Sequence, residues 1–310
     1  MAGVLILYTT LIFAYMRLIP LCSLIVCLFS ACEKDINIDI QSSDPQLVVE
    51  GVIENDSYPQ VILSRSLSYF SSIDSAIIEN TYVHNAVVTV SNGSQTMELS
   101  EQRLTLPQGA TYYAYRPDLR RPGVFFKGKV AGKYTLKIQT DNKTYESVTT
   151  IPLTGMELDS IWCTRVLLNN GDTTKIRLWA RITDDPDNSG YVRYFTKRNS
   201  EPTYPGITSV IDDRIVNGTT FEIPLDAGID RSQKPDPDTY YALFSLGDTI
   251  TLKFCNIDKP TWDFWRTVDY AFNTSGNPFS SPTRILGNIP GALGYWGGYS
   301  AKYKKIFIRK

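Results

Sequence analysis

Residues 184–190 read DDPDNSG, so Asp184, Asp185, Asp187 and Asn188 crowd side-chain oxygens into one short turn. Hard cations such as calcium take oxygen clusters of this kind, which makes the three aspartates candidate metal ligands. The segment lacks the spacing and terminal glutamate of an EF-hand loop, and Asp, Asn, Pro and Gly are also what a plain turn requires. Nearer the C-terminus, GNIPGALGYWGGYS sets Tyr295, Trp296 and Tyr299 among glycines that admit tight turns and close backbone packing. These rings are candidate ligand contacts, because aromatic faces stack on sugars and peptides. Carboxylates are numerous enough for a glycosidase pair, yet nothing marks which two would face one another. His84 is the only histidine, which removes histidine triads and multi-histidine metal sites. Its place in TYVHNAVVTV, at the entry to a strand, suits a surface or edge position better than catalysis. There is no G-x-S-x-G elbow or P-loop, and GALGYWGG lacks the strand-to-helix setting of a dinucleotide fingerprint. The chain therefore reads as non-enzymatic, with no cofactor.

Cysteine carries the clearest chemistry. MRLIPLCSLIVCLFSAC, from Met16, combines a cation at Arg17, an apolar run from Leu18 to Phe29 and the small pair Ser30 and Ala31. That is the layout of a secretory signal, here residues 1–31, with translation starting at Met16 or at Met1. The rival is one long membrane-spanning helix. It would put Arg17 near the bilayer centre at a cost of about 2.5–3.5 kcal/mol, and neither apolar half reaches the ~20 residues of a span. Phe29, Ser30, Ala31 and Cys32 resemble the lipobox of bacterial lipoproteins, in which the cysteine receives a diacylglyceryl group and becomes the mature N-terminus. Phe29 departs from the usual leucine. Two or more acyl chains anchor stably where one does not, so Cys32 is the expected lipidation site and residues 32–44 a tether. Glu33 and Asp35 look like surface-sorting signals of Bacteroidetes lipoproteins. The expected location is the outer membrane, held by the N-terminal lipid. Cys163 and Cys255 sit in apolar, strand-like contexts; an exported chain allows them a disulfide, and two buried thiols would look the same in sequence.

The elements that must carry these groups are mostly strands. PQLVVEGVI and YPQVILSRSLSYF alternate with period two, and Asn92-Gly93 and Asp141-Asn142 each separate a pair of alternating runs. SSIDSAIIENTYVH interrupts them as a loop or short helix. Turn signals every ten or so residues predict an immunoglobulin-like β-sandwich over 45–152, closed at Ile151-Pro152. Residues 153–310 read as a second β-rich domain, with hairpins turned at Asn169-Asn170-Gly171 and at DDPDNSG. One helix is predicted at about 260–274: Pro260 suits its first turn, Trp262, Trp265, Val268 and Phe272 recur at helical spacing, and Gly276 ends the pattern. The tryptophan pair is expected to pack on a sheet. The closing KYKKIFIRK reads as an edge strand with gatekeeping charges. The fold class is mainly β. Formal net charge is −1 and neither sign clusters strongly, so no nucleic-acid partner is expected.

From WDFWRTVDYAFNT through GNPFSSPT to NIPGALGYWGGYS, the chain resembles a Bacteroidetes lipoprotein family known as domain of unknown function 4249. The close of the first unit and the DDPDNSGYVRYF turn are similar too, while Pro290 and Ala292 depart from the usual glycine pair. The resemblance implies an envelope lipoprotein encoded beside a TonB-dependent outer-membrane receptor, accessory to nutrient or ligand uptake by capturing ligand or bracing the complex. It brings no catalytic residues. A carboxylate-dependent surface hydrolase and an adhesion or structural surface protein stand as alternatives.

Overall fold

The computed structural model describes residues 44–67, 75–105, 109, 111–188, 190–232, 242–277, 279–281 and 283–309. Cys32, residues 1–31 and nearly all of the tether lie outside the described residues. The first strands are β1 (Leu47–Glu54) and β2 (Gln60–Arg65), followed by a short helix α1 (Ser75–Thr81). Next come β3 (Val87–Ser91), β4 (Thr96–Thr105), β5 (Thr111–Arg116), β6 (Lys133–Thr140) and β7 (Lys143–Thr150). Beyond Pro152 follow β8 (Met156–Val166), β9 (Lys175–Asp184), β10 (Tyr191–Arg198), β11 (Tyr204–Asp212), β12 (Thr220–Leu225), β13 (Phe244–Ser245) and β14 (Thr249–Ile257). The long helix α2 (Lys259–Thr274) and the long strand β15 (Leu293–Phe307) complete the chain. The protein is mainly β, sandwich-like, with one long helix near its C-terminus.

The turn chemistry is local. Asp141 and Asn142 both adopt positive φ, at 51° and 57°, and join Thr140 to Lys143 as a two-residue hairpin. Asn92 accepts hydrogen bonds from the amides of Ser94 and Gln95 and reverses β3 into β4. DDPDNSG does not turn a hairpin. It carries the chain from β9, in a four-stranded sheet of β8, β9, β12 and β13, across to β10 in an eleven-stranded sheet.

The larger sheet runs β11-β10-β14-β15-β1-β2-β5-β4-β3-β6-β7. Its centre is non-local: β15 pairs parallel with β1, from Val48 opposite Leu293 to Glu54 opposite Tyr299, and antiparallel with β14. The segments on either side of Pro152 have largely separate cores. Val49, Ile53, Val90, Met97, Leu136 and Ile138 fill the first, which also takes Trp296 from β15. Leu178, Ile182, Val192, Leu252 and Phe254 fill the second, beneath the four-stranded sheet. Residue 152 thus separates two cores, while one continuous sheet crosses it and the described residues form one unit. Among the described residues no helix is long and apolar enough to cross a membrane.

Helix α2 begins where sequence chemistry places it. Asp258 caps it by accepting from the Thr261 amide at 3.0 Å, and Pro260 stands in its first turn. The other Asp258 oxygen accepts from Thr149 Oγ1 at 2.8 Å and the Thr150 amide at 3.1 Å, which ties the helix start to the end of β7. Trp262 and Phe264 bury against Tyr295 and its neighbours, in a third cluster on the side of the sheet away from the two cores.

Candidate functional site

Side chains alternate along a strand, so β1 divides its residues between two surfaces. Leu47, Val49 and Ile53 enter the first core, whereas Glu50, Val52 and Glu54 face the other way. Register then fixes their neighbours. Across the parallel pairing Glu50 stands opposite Tyr295 and Glu54 opposite Tyr299. On the far side of β15, Lys253 pairs with Tyr303, and β10 brings Phe195 beside Lys253 and Arg193 beside Cys255. Of these, Glu50, Glu54, Tyr295, Tyr299, Lys253, Phe195 and Arg193 line a cleft of about 480 Å³, closed at its margins by Trp265 of α2, Tyr58, Tyr204, Ile229 and Arg231.

An aromatic lattice forms one wall. Phe264 stacks on Tyr295 with centroids 4.6 Å apart, and Trp265 meets Tyr295 edge-on at 5.0 Å. The Arg193 guanidinium lies 3.2 Å from the Trp265 ring centre and 4.5 Å from that of Phe195. Arg193 Nε donates to Ser209 Oγ at 3.3 Å and Nη1 donates to Tyr299 Oη at 3.4 Å. Trp265 Nε1 donates to the same Tyr299 oxygen at 2.9 Å. Burial pushes the phenol of Tyr295 well above its ordinary range and that of Tyr299 upward, so both remain neutral. Lys253 forms an ion pair with Glu54, whose Oε1 also accepts from Tyr303 Oη at 2.7 Å. Glu50 keeps solvent contact through the mouth of the cleft. The crowding walls nevertheless push its carboxyl upward, with Arg193 pulling it back.

The expected aromatic trio is divided. Tyr295 and Tyr299 form the floor of the cleft, but Trp296 points through the sheet into the first core and is 0% exposed. Period-two alternation is the reason: once Leu293–Phe307 is a strand, positions 295 and 299 share a face that 296 cannot. Asn288 holds that strand, donating to the Trp296 carbonyl and accepting from its amide, both at 2.8 Å. The glycines serve close approach as expected. A Cβ on Gly298 would lie 2.4 Å from the Thr150 carbonyl oxygen, and one on Gly294, at φ +95°, only 1.9 Å from that of Val49. Trp265, expected only to pack, is both packed and cleft-lining. Glu50, Arg193, Lys253 and Arg231 carried no local signal in sequence, because the pairing of distant strands is what assembles them.

Asp184, Asp185 and Asp187 do not assemble a cation site: among the described residues no group of three or more acidic, histidine or cysteine side chains converges. Asp184 is buried and accepts from the Gly218 amide at 2.8 Å, while Asp185 accepts from the Asp187 amide and from Asn188 within the turn. Those backbone and amide bonds hold the Asp185 carboxyl below its usual range. Cys163 and Cys255 are both free; the first belongs to the four-stranded sheet and the second to the eleven-stranded sheet. Burial raises their thiols to about 11 and about 12, which keeps both in the protonated form at neutral pH. His84 is a half-exposed surface residue, hydrogen-bonded to Glu101 and set edge-on to Tyr113.

No curated protein matches the chain. Among solved structures, the full ectodomain (Ig1–Ig3) of mouse nectin-like molecule 4 overlaps 86% of this chain at 10% identity and a TM-score of 0.18, a likeness too slight to bear on fold or function. The chain spans 65% of that structure's length. The family described as domain of unknown function (DUF4249) matches residues 33–305, almost the whole sequence, and the chain belongs to that family.

Proposed function

We infer that this protein is a lipid-anchored, non-enzymatic component of the outer membrane that captures a small ligand in the cleft above β1 and β15, and works beside a TonB-dependent transporter. The observation that carries the capture role is the preorganised wall in which Trp265, Arg193 and Tyr299 hold one another by stacking and hydrogen bonds. Groups locked in this way cost little to order when a ligand arrives. Aromatic faces with a few placed polar groups are the usual lining of a binding site.

Hydrolysis by paired carboxylates fits the same cleft less well. Glu50 and Glu54 lie four residues apart on one strand, which separates their backbones by roughly 13 Å at about 3.3 Å per residue. Glycosidase carboxyls stand about 5–9.5 Å apart, which these two side chains reach only by leaning toward each other along the strand. Glu54 is moreover already engaged by Lys253 and Tyr303. The anchor and the transporter rest on the lipobox-like segment at Cys32 and on the family's resemblance to envelope lipoproteins.

Two measurements test the parts separately. Tagged full-length protein purified from native membranes should bring down a TonB-dependent receptor, and recovery of background proteins alone overturns the transporter role. Native mass spectrometry of the same material should show a small-molecule adduct that Val52→Trp, which fills the cleft, removes. An adduct that persists in that variant places capture elsewhere.

A further inference from the structure

The three cations of the cleft are not equally matched. Lys253 has Glu54. Arg193 is 4% exposed and, among the described residues, in ion-pair contact with no carboxylate; its hydrogen-bond partners are the neutral hydroxyls of Ser209 and Tyr299. Arg231 reaches one carboxylate, Asp269, through Nη2 at 2.7 Å, and the same nitrogen donates to the Gly206 carbonyl at 3.0 Å. Its Nε and Nη1 are buried without a hydrogen-bond partner. Asp269, 2% exposed, spends its second oxygen on the Ser209 amide at 2.7 Å and Ser209 Oγ at 3.0 Å.

Arg231, Asp269, Ser209 and Arg193 are therefore one hydrogen-bonded chain with two guanidiniums and a single carboxylate. A guanidinium cannot lose its proton in a protein, and a buried charge without a counter-charge is costly. Stacking on Trp265 and Phe195 offsets part of that cost for Arg193 but supplies no negative charge. Glu50 faces the same space from the solvent-exposed mouth of the cleft without forming an ion pair with Arg193. What remains in that chain is an excess positive charge and two buried, unpartnered nitrogens of Arg231, a residue that lines a cavity large enough for a small molecule.

Taking the cleft as the ligand site inferred above, we propose that it binds its ligand through an oxyanion, whether carboxylate, phosphate or sulfate, held by Arg193 and Arg231. Tyr58, Tyr204 and Trp265 receive the ligand's apolar part. Guanidinium donors suit such anions because they combine charge with directed hydrogen bonds.

The test is calorimetric titration of the full-length protein in detergent with phenylacetate, phenyl phosphate, phenyl sulfate and the uncharged phenylacetamide. At least one anion should bind tenfold or more tightly than phenylacetamide, and the best of the three identifies the headgroup. Arg231→Gln should abolish that preference. Arg231→Lys, which keeps the charge beside Asp269 but loses the forked donors, should reduce it at least threefold and serves if the glutamine variant does not fold. Equal binding of phenylacetamide and all three anions overturns the oxyanion assignment and leaves the cleft as a site. An anion preference untouched by Arg231→Lys and by Val52→Trp overturns both. Absence of any anion binding at millimolar concentration overturns the assignment, and the fate of the native adduct in Val52→Trp then decides the capture role independently.

Discussion

Tyr295 and Trp296 are neighbours in the chain and serve opposite surfaces of one sheet. Trp296 enters a dry core with Met97, Leu136 and Ile138, where its Nε1 donates to the Tyr134 carbonyl at 3.1 Å and every neighbour contributes packing. Tyr295 lies among Glu50, Arg193 and Trp265, where burial is shared with charge. The first surface follows the usual rule that apolar area is removed from water. The second breaks it, placing two carboxylates and three cations over the sheet. Polar groups held under aromatic cover are poor investments for stability alone and are retained where a site needs them.

Variants on the two surfaces should separate stability from binding. The largest effect is expected from Trp296→Ala, which empties a fully buried indole and should cost about 3–5 kcal/mol in urea or thermal unfolding. A loss below about 1 kcal/mol would mean the core collapses around the gap and the contrast between surfaces is weaker than drawn. Arg193→Met should do the reverse: stability stays within about 1 kcal/mol of the parent or rises, because an apolar side chain relieves a desolvated charge, while ligand retention falls at least tenfold. Equal damage to both would make Arg193 a packing residue.

Glu50→Gln gives a smaller, pH-dependent change. The folded carboxyl is raised above 4.5, so the folded state binds its proton more tightly than the unfolded state, and stability from this group is present below about pH 4.5 and lost as pH rises through the folded value. The variant should therefore melt higher than the parent at pH 7, with the gap closing at pH 4. A gap that widens on acidification would reverse the sign of the shift. The smallest effect is expected from reduction. Dithiothreitol should leave the melting temperature unchanged, and Cys255 should resist alkylation until the protein unfolds, since both thiols are free and shifted upward.

Helix α2 and the hairpins at Asn92-Gly93 and Asp141-Asn142 could be read from sequence because each is decided within a few residues, by a cap, a first-turn proline or a pair of left-handed positions. The DDPDNSG turn was legible as a turn but not as a passage between sheets, because turn residues fix local direction and not the partner of the next strand. Cys163 and Cys255 show the same limit, as alternating apolar context predicts burial and leaves open which sheet each strand joins.

The candidate site lies almost wholly on the non-local side. Sequence by itself determined the strand character of Glu50 and its neighbours, the aromatic helix and the presence of tyrosines near the C-terminus. Tertiary structure alone decided that β15 returns to pair with β1, which sets Tyr295 beside Glu50 and Tyr299 beside Glu54 across more than two hundred residues of chain. Local propensity cannot choose that partner, since a strand's hydrogen bonds are satisfied by any edge in register, and only the fit of Trp296 into one core and of Tyr295 under α2 singles out this one.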